Sequence, residues 1–290
     1  MLDGYSYIAY KYLYMRFSAE FFCPHTADEK RELLKLTESL STYNPSFFSI
    51  TFSTKTQEFD SSLKLAQTIQ NHTDTPVALH MSCIGTPKDI LKQRLDKALN
   101  AEIQHIVALR GDWPRSREDK PPQGNEYCHY ASDFVALIKS HAPAIKISVG
   151  AYPEKHKQAE TLGQDIQHLK QKLDQGADQA ITQFYFDQLY FDDFVKKTAQ
   201  AGITKPIIAG LMAISDFELI SRFAHGAEAK IPETITRRFA DLSSEKMIEE
   251  GTIFLQEQII TAQKSGVEEI HLYPMNKPNP ILKALDHFFA

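Results

Sequence analysis

Residues 146–186, KISVGAYPEKHKQAETLGQDIQHLKQKLDQGADQAITQFYF, decide the fold. The segment opens with a β-branched run at 146–152 and closes with an apolar, aromatic run at 179–186, both of strand character. Between them, over 160–175, Leu162, Ile166, Leu169 and Leu173 recur at i, i+4, i+7 and i+11, the apolar stripe of an amphipathic helix. Gly176 then supplies a stop signal. Strand, helix and strand within about 40 residues form one β/α/β unit.

Outward from this unit the same alternation fills the chain. Strand-like runs at 17–23, 47–53, 77–83, 105–111, 206–212 and 268–275 join the first two, giving eight, with helical patterns between them. Eight strands, each followed by helix, predict a closed (β/α)8 barrel of TIM type rather than a doubly wound sheet. About 55 residues separate the last two strands, too many for one helix, so extra helices are expected around 231–241 and 245–265. No Gly/Ser linker or fixed-period repeat interrupts the pattern. Residues 17–290 are therefore expected to form a single catalytic domain, preceded by a tyrosine-rich extension over 1–16.

Composition narrows the class. A compact chain of 290 residues can bury roughly 75% of its unfolded surface, enough for a sizeable core. With 42% hydrophobic and 24% charged residues, whole-chain disorder, collagen and coiled coil are excluded. Thirty-two basic against 37 acidic residues leave −5, which argues against nucleic acid or a membrane surface as a bulk electrostatic partner. The odd, widely spaced cysteines Cys23, Cys83 and Cys128 form no C-x-x-C pair and fit a reducing cytoplasm. The N-terminus lacks a signal-peptide pattern, and no apolar stretch is long enough to span a membrane.

In such a barrel, chemistry gathers where strands end. Those positions carry Glu20, Thr51 with Thr54, His80 with Ser82, and Arg110-Gly111-Asp112. Later strands add Tyr152 with His156, Gln183 with Asp187, Tyr273 and Lys277. Strand alternation sends Phe17, Ala19 and Phe21 outward beneath helices, so Glu20 is expected to point into the barrel mouth. A carboxylate there must be protonated, paired or functional, and a salt bridge to Arg110 is the structural alternative. His80 alone reads as a hydrogen-bonded core histidine, Gln183 as an amide tying strands together. Phe223, spaced from Phe217 and Ile220, reads as ordinary helix core. Asp165, His168 and Lys172 read as a solvated helix face. The polar loop 113–129, which carries Trp113, is long enough to be functional.

Several chemistries lose ground. No G-x-G-x-x-G or G-x-x-x-x-G-K-[ST] marks a separate nucleotide module. The sixth strand carries no lysine for a Schiff base, and no G-x-S-x-G marks a serine hydrolase. The histidines lack H-x-H or H-E-x-x-H spacing, and His105 lies at the wrong end of its strand to join His80, so no metal site is expected.

Taken together, the segments resemble a known family. Ala19-Glu20-Phe21-Phe22, Ser49-Ile50-Thr51-Phe52, His80-Met81-Ser82-Cys83 and Leu109-Arg110-Gly111-Asp112 are similar to segments of the methylenetetrahydrofolate reductases. Tyr130-Ala131-Ser132-Asp133, Ala151-Tyr152-Pro153-Glu154 with His156, and Ala180-Ile181-Thr182-Gln183-Phe184 match as well, in order, from about 17 to 285. The resemblance implies an oxidoreductase that holds FAD in the barrel, accepts hydride from NADH or NADPH, and reduces 5,10-methylenetetrahydrofolate to 5-methyltetrahydrofolate for methionine synthesis.

Carried onto this chain, the resemblance implies Glu20 as general acid and Asp112 as a carboxylate near flavin and pterin. It implies flavin contacts at Thr51, Phe52, Thr54, His80, Arg110, Gly111, Asp112, Tyr130, Ala131, Tyr152 and His156. Asp165, His168 and Lys172 match the flavin-binding helix, which replaces the solvated-face reading. Gln183 matches a pterin contact, Phe223 an aromatic that stacks on ligands, and Lys277 a cation near the folate's glutamate tail. Cys23, His25, Ala213, Leu219 and Lys277 depart from the family's usual residues, all on the folate side.

With no second nucleotide module, dinucleotide and folate are expected to take turns at one site, giving ping-pong kinetics. Burial of Glu20 near Asp112 is expected to raise its pKa toward that of a working acid. The expected partners are these small molecules and further copies of the chain in a homo-oligomer. Two alternatives stand beside this reading. One is a flavin-dependent barrel oxidoreductase acting on a different C–N substrate. The other is a non-catalytic binding or assembly protein on the same barrel.

Overall fold

The computed structural model describes residues 15–51, 59–113 and 119–289. Eight strands follow one another: β1 (Arg16–Phe21), β2 (Phe47–Ile50), β3 (Val77–Ser82), β4 (His105–Leu109), β5 (Lys146–Ala151), β6 (Gln179–Thr182), β7 (Ile207–Met212) and β8 (Glu269–Tyr273). Each pairs in parallel with the next, and β8 closes on β1 with His271 opposite Ser18. The expected (β/α)8 barrel is the fold observed.

Helices alternate with the strands: α1 (Ala27–Ser41), α2 (Phe59–Thr73), α3 (Lys88–Asn100), α4 (Ala131–His141), α5 (Leu162–Asp174), α6 (Gln188–Gln200) and α7 (Phe217–Ala227). The long connection before β8 folds as α8 (Glu233–Arg238) and α9 (Ser244–Lys264), and α10 (Ile281–Phe289) follows β8. Both extra helices fall where the sequence predicts them. Among the described residues, no helix is long and apolar enough to cross a membrane.

Side-chain alternation builds two cores. Phe17, Ala19 and Phe21 face outward from β1 and are fully buried in the layer between barrel and helices. Inside the barrel, Phe47, Ala78, Val107, Ile181 and Ile208 form a separate plug. Beneath it, His105 Nε2 lies 2.8 Å from Ser148 Oγ, which also accepts a hydrogen bond from Gln179 Nε2 at 2.9 Å. Burial holds His105 down to about 3, so this ring stays neutral.

α5 illustrates how sequence sets local structure. Thr161 Oγ1 accepts the Gln164 N–H at 3.1 Å and caps the helix, while Ile166, Leu169 and Leu173 bury the apolar face. Gly176, at φ +115°, ends it.

The strands end sooner than the apolar runs that encode them. The run 179–186 leaves the ladder after Thr182 because its aromatics satisfy themselves elsewhere. Tyr185 stacks on Phe191 at 5.1 Å, and Phe184 packs edge-on against Phe186 at 5.8 Å. β4 stops at Leu109, and Gly111 takes up φ +83° just beyond it.

Candidate active site

A cleft of about 1280 Å³ opens beyond the ends of β4, β5 and β6, walled by α5 and α7. Arg110, Gly111, Asp112, Tyr130, Ala131, Tyr152, His156, Asp165, His168, Lys172, Gln183 and Phe223 all line it. Residues drawn from five separate stretches of sequence thus meet on one surface. Glu20 and His80 lie inside the barrel mouth and do not line this cleft. Thr51 follows β2, donating its N–H to Phe21 O at 2.9 Å. Lys277 is exposed in the loop after β8. Phe52 and Thr54 lie outside the described residues.

The wall formed by α5 carries the cleft's strongest electrostatics. Lys172 Nζ donates to Gly150 O at 2.5 Å and lies 6.0 Å from the centroid of the Tyr152 ring. Burial lowers this ammonium to about 8, with Asp165 opposing the shift. Asp165 is itself buried, and its Oδ2 accepts the His156 N–H at 2.9 Å. The bare helix-face reading fails here because this face points at the barrel rather than at water; His168 alone of the three is exposed. Burial pushes Tyr152 up to about 12, helped by Asp165 and Asp112.

The opposite wall is made by the loop after β4. Arg110 Nη1 donates to Gln158 Oε1, and Asp112 faces Lys157 Nζ at 3.3 Å. These two contacts lace the β4 loop to the β5 loop. A Cβ on Gly111 would stand 2.7 Å from Ser82 Cβ, so the backbone passes where no other residue fits. Gln183 folds onto its own strand end, Oε1 accepting the Phe184 N–H at 3.1 Å. Phe223 is 40% exposed rather than helix core, and stacks on Phe22 with centroids 6.2 Å apart. Asn276 bridges the neighbouring seam, accepting the Phe22 N–H at 3.0 Å and donating to Phe22 O at 2.9 Å.

Glu20 points into the barrel as strand alternation predicts, but its partners differ from those expected. Neither Arg110 nor Asp112 pairs with it. Oε2 lies 3.4 Å from His80 Nε2 and 3.9 Å from His271 Nε2. Burial acts to raise the Glu20 carboxyl, yet the neighbouring rings of His80 and His271 outweigh it, holding the group below the ordinary carboxylate value. The expected upward shift is therefore reversed. Burial lowers His80, with Glu20 opposing. His80 Nε2 is not the satisfied core nitrogen expected: it is buried without a hydrogen-bond partner among the described residues, so its contact with Glu20 is one of charge.

His271 was not among the residues singled out from the sequence. Its signal was present in the register of β8, where Glu269, His271 and Tyr273 alternate with Ile270 and Leu272 and so must face the barrel interior. Gln158 and Lys157, which hold Arg110 and Asp112, carried no such signal because they sit in an irregular loop.

Barrel, cleft and mouth define the class: a (β/α)8 protein with its candidate site at the C-terminal ends of the strands, where such folds do chemistry. The family model for methylenetetrahydrofolate reductase matches residues 10–288, and the chain belongs to that family. The 5,10-methylenetetrahydrofolate reductase of Escherichia coli is 34% identical over 264 residues, covering 90% of this chain and 86% of the relative. That of Pectobacterium carotovorum is 32% identical over 264 residues, covering 90% and 85%. Among solved structures, a Clostridium thermocellum protein described as binding two copies of 5-methyl-5,6,7,8-tetrahydrofolic acid superposes with TM-score 0.63 at 13% identity, over 92% of this chain and 91% of that one. At that identity the likeness is one of fold.

Proposed function

We propose that this protein reduces 5,10-methylenetetrahydrofolate to 5-methyltetrahydrofolate, with FAD as resident cofactor, NADH or NADPH as donor, and residues 17–290 as the catalytic domain. Donor and folate take turns at one site, in ping-pong order. The reading rests on one observation: the walls of the cleft beyond β4, β5 and β6 bring together residues that match the family's flavin-contacting positions.

The cleft fits such a cofactor by size and by chemistry. At about 1280 Å³ it exceeds the roughly 300–1,000 Å³ of pockets for drug-sized ligands, as a dinucleotide requires. Lys172, half-buried, and Arg110 offer cations for acidic groups, and the bare Cα of Gly111 allows close approach. When bound, FAD supplies hydride transfer, which no side chain can perform.

The chain's own residues do the rest. Glu20 gives its proton to a nitrogen of the folate's five-membered ring, so that the O–H bond breaks, an N–H bond forms and the ring opens to an electrophilic iminium. Asp112, exposed at the cleft edge, supplies negative charge toward that cation, with Lys157 as the partner it must leave. Phe22 and Phe223 form an aromatic edge against which a flat ring can stack.

Glu20→Gln tests the reading. Glutamine keeps the shape and cannot donate the proton. Dinucleotide oxidation driven by methylenetetrahydrofolate should fall by ~10²–10⁴, while oxidation driven by a quinone acceptor and the bound FAD content stay at wild-type level. Purified protein without flavin absorbance, or a flavin-loaded Glu20→Gln variant with near wild-type folate turnover, would sink the proposal.

A further inference from the structure

The seam between β1 and β8 extends past its backbone ladder. The two strands pair from Arg16 opposite Glu269 to Ala19 opposite Leu272, and the same register continued would set Phe22 opposite Met275. Backbone pairing cannot reach that far. Pro274 has no N–H to give, and its carbonyl accepts the Lys277 N–H at 2.9 Å. Met275 and Asn276 then turn left-handed, at φ +55° and +57°, so the chain beside Phe22 is no longer extended.

Asn276 fills the gap with its side chain. A carboxamide offers an acceptor and a donor as a peptide group does. Here Oδ1 accepts the Phe22 N–H at 3.0 Å while Nδ2 donates to Phe22 O at 2.9 Å. Asparagine is also among the few residues besides glycine that favour the left-handed conformation taken up at this position. On the other side of β1, the Thr51 N–H donates to Phe21 O at 2.9 Å. The end of β1 is thus clamped from both neighbours, two residues beyond Glu20. The clamp presents the Phe22 ring to Phe223, centroids 6.2 Å apart and planes 23° apart, and Phe223 lines the cleft. Phe22 lies beyond the last residue of β1, so the two Asn276 hydrogen bonds do for it what a ladder does for the strand.

We propose that Asn276 is a positioning residue for folate binding: its carboxamide replaces the missing rung between β1 and β8, and so holds the Phe22 ring in place for the ligand's flat bicycle to stack on. The proposal rests on the reading of this site as one that takes folate. Aromatic pairs favour particular offsets and tilts, so a ring that is held contributes more than one that is free. Released from the amide, Phe22 can tilt away, and ordering it again when the ligand arrives is subtracted from affinity. FAD does not depend on the clamp, because the flavin-matching residues of the cleft come from the β4 and β5 connections and from α5.

The test measures binding of 5-methyltetrahydrofolate to the FAD-loaded protein, followed by the change in flavin absorbance. Asn276→Gly removes the amide and leaves a residue at ease in the left-handed region. Its Kd should rise roughly threefold to tenfold, the range of an aromatic contact, with FAD affinity unchanged. Phe22→Ala should raise Kd by a similar factor. Adding Asn276→Gly to Phe22→Ala should then cost nothing further, because no ring is left to hold. Asn276→Asp keeps the shape and the acceptor but loses the donor to Phe22 O, and it runs through the same cycle if Asn276→Gly does not fold. Any effect of its charge on Lys277 persists without the ring, so the cycle subtracts it. A wild-type Kd in the deciding variant, a loss that adds in full to that of Phe22→Ala, or an equal loss of FAD affinity overturns the role of Asn276. Wild-type protein that retains FAD but does not bind 5-methyltetrahydrofolate overturns the reading of the site itself, and this proposal with it.

Discussion

Asp165 Oδ2 accepts the backbone N–H of His156 at 2.9 Å, so the first turn of α5 is bonded to the loop that follows β5. The same buried carboxylate supports the protonated form of Lys172, two helical turns further along. One side chain thereby fixes the loop that carries Tyr152 and His156 and stabilises the cation beside it. Electrostatics and shape are coupled on this wall: a change that moves the loop also changes the charge available to a ligand.

Lys172 makes that coupling measurable. Burial holds its ammonium down to about 8. An acidic cofactor group beside it holds the proton more tightly, so the bound form carries more protons than the free form above pH 8. Affinity for FAD should be flat below pH 8 and decline above it, by up to about tenfold per pH unit. His156, lowered by burial, and Tyr152, pushed to about 12, do not titrate between pH 8 and 10. Fluorescence titration of stripped protein with FAD at pH 7, 8 and 9.5 checks this. Lys172→Arg, which stays charged, should flatten the profile. An unchanged slope in that variant would show that another group titrates.

The barrel was legible because eight runs with strand character alternate with helix-period stripes, and both periodicities survive folding in β5 and α5. Where strands stop was less legible. Phe184, Tyr185 and Phe186 have high strand propensity, and it is tertiary packing that draws them out of the ladder. The cleft wall was legible as a set of strand-end positions, since Arg110, Tyr152 and Gln183 all fall there. The surroundings of Glu20 were not. His80 and His271 lie 60 and 251 residues away in sequence and meet it only when β8 closes on β1. Sequence spacing carries no information about a contact made by closure. The direction of the Glu20 shift depends on those two rings, and was misjudged for that reason.

Gly111→Ala should damage the cleft out of proportion to its size. The residue sits at φ +83°, where a Cβ is strained, and that atom would meet Ser82 Cβ at 2.7 Å. The strain alone costs roughly 1–2 kcal/mol. Relief requires the β4 loop to move, carrying Arg110 and Asp112 off their partners on the β5 loop. We expect FAD affinity to drop about tenfold or more, the equivalent of about 1.4 kcal/mol, together with a lower Tm. Wild-type affinity in a folded Gly111→Ala protein would mean that the β4 loop does not shape the cofactor site.

Gly251→Ala separates fold from site. Gly251 lies within α9, and a Cβ there would stand 1.9 Å from Ile214 O, beyond the end of β7. The helix must back away, an overpacking cost of roughly 1–3 kcal/mol. For a domain of this size each kcal/mol lowers Tm by roughly 2–4 °C. Differential scanning calorimetry should register that loss, while FAD affinity changes little because α9 does not line the cleft. A drop in affinity larger than the drop in stability would place α9 in control of the site.

Lys277 is the residue that the resemblance sets near the folate's glutamate tail. It is exposed, and the loop that carries it is steadied by the Lys277 N–H to Pro274 O at 2.9 Å and by the Asn276 bridge to Phe22. Truncation should therefore remove a charge without moving the mouth. An exposed pair with a carboxylate is worth at most about 1 kcal/mol, so Lys277→Ala should raise the folate KM by roughly threefold to fivefold and leave kcat alone. Dinucleotide oxidation with a quinone acceptor should be unaffected. Because the contact is solvated, salt should screen it: wild-type and Lys277→Ala KM values should converge as ionic strength approaches 1 M, where charges interact over only about 3 Å. Lys277→Arg, offering a planar fork to a carboxylate, should lower KM below the wild-type value. Steady-state folate kinetics at low and high salt on the three proteins decide the point. A KM difference that persists undiminished at high salt would mean that Lys277 acts through packing, and the folate tail would then be held elsewhere.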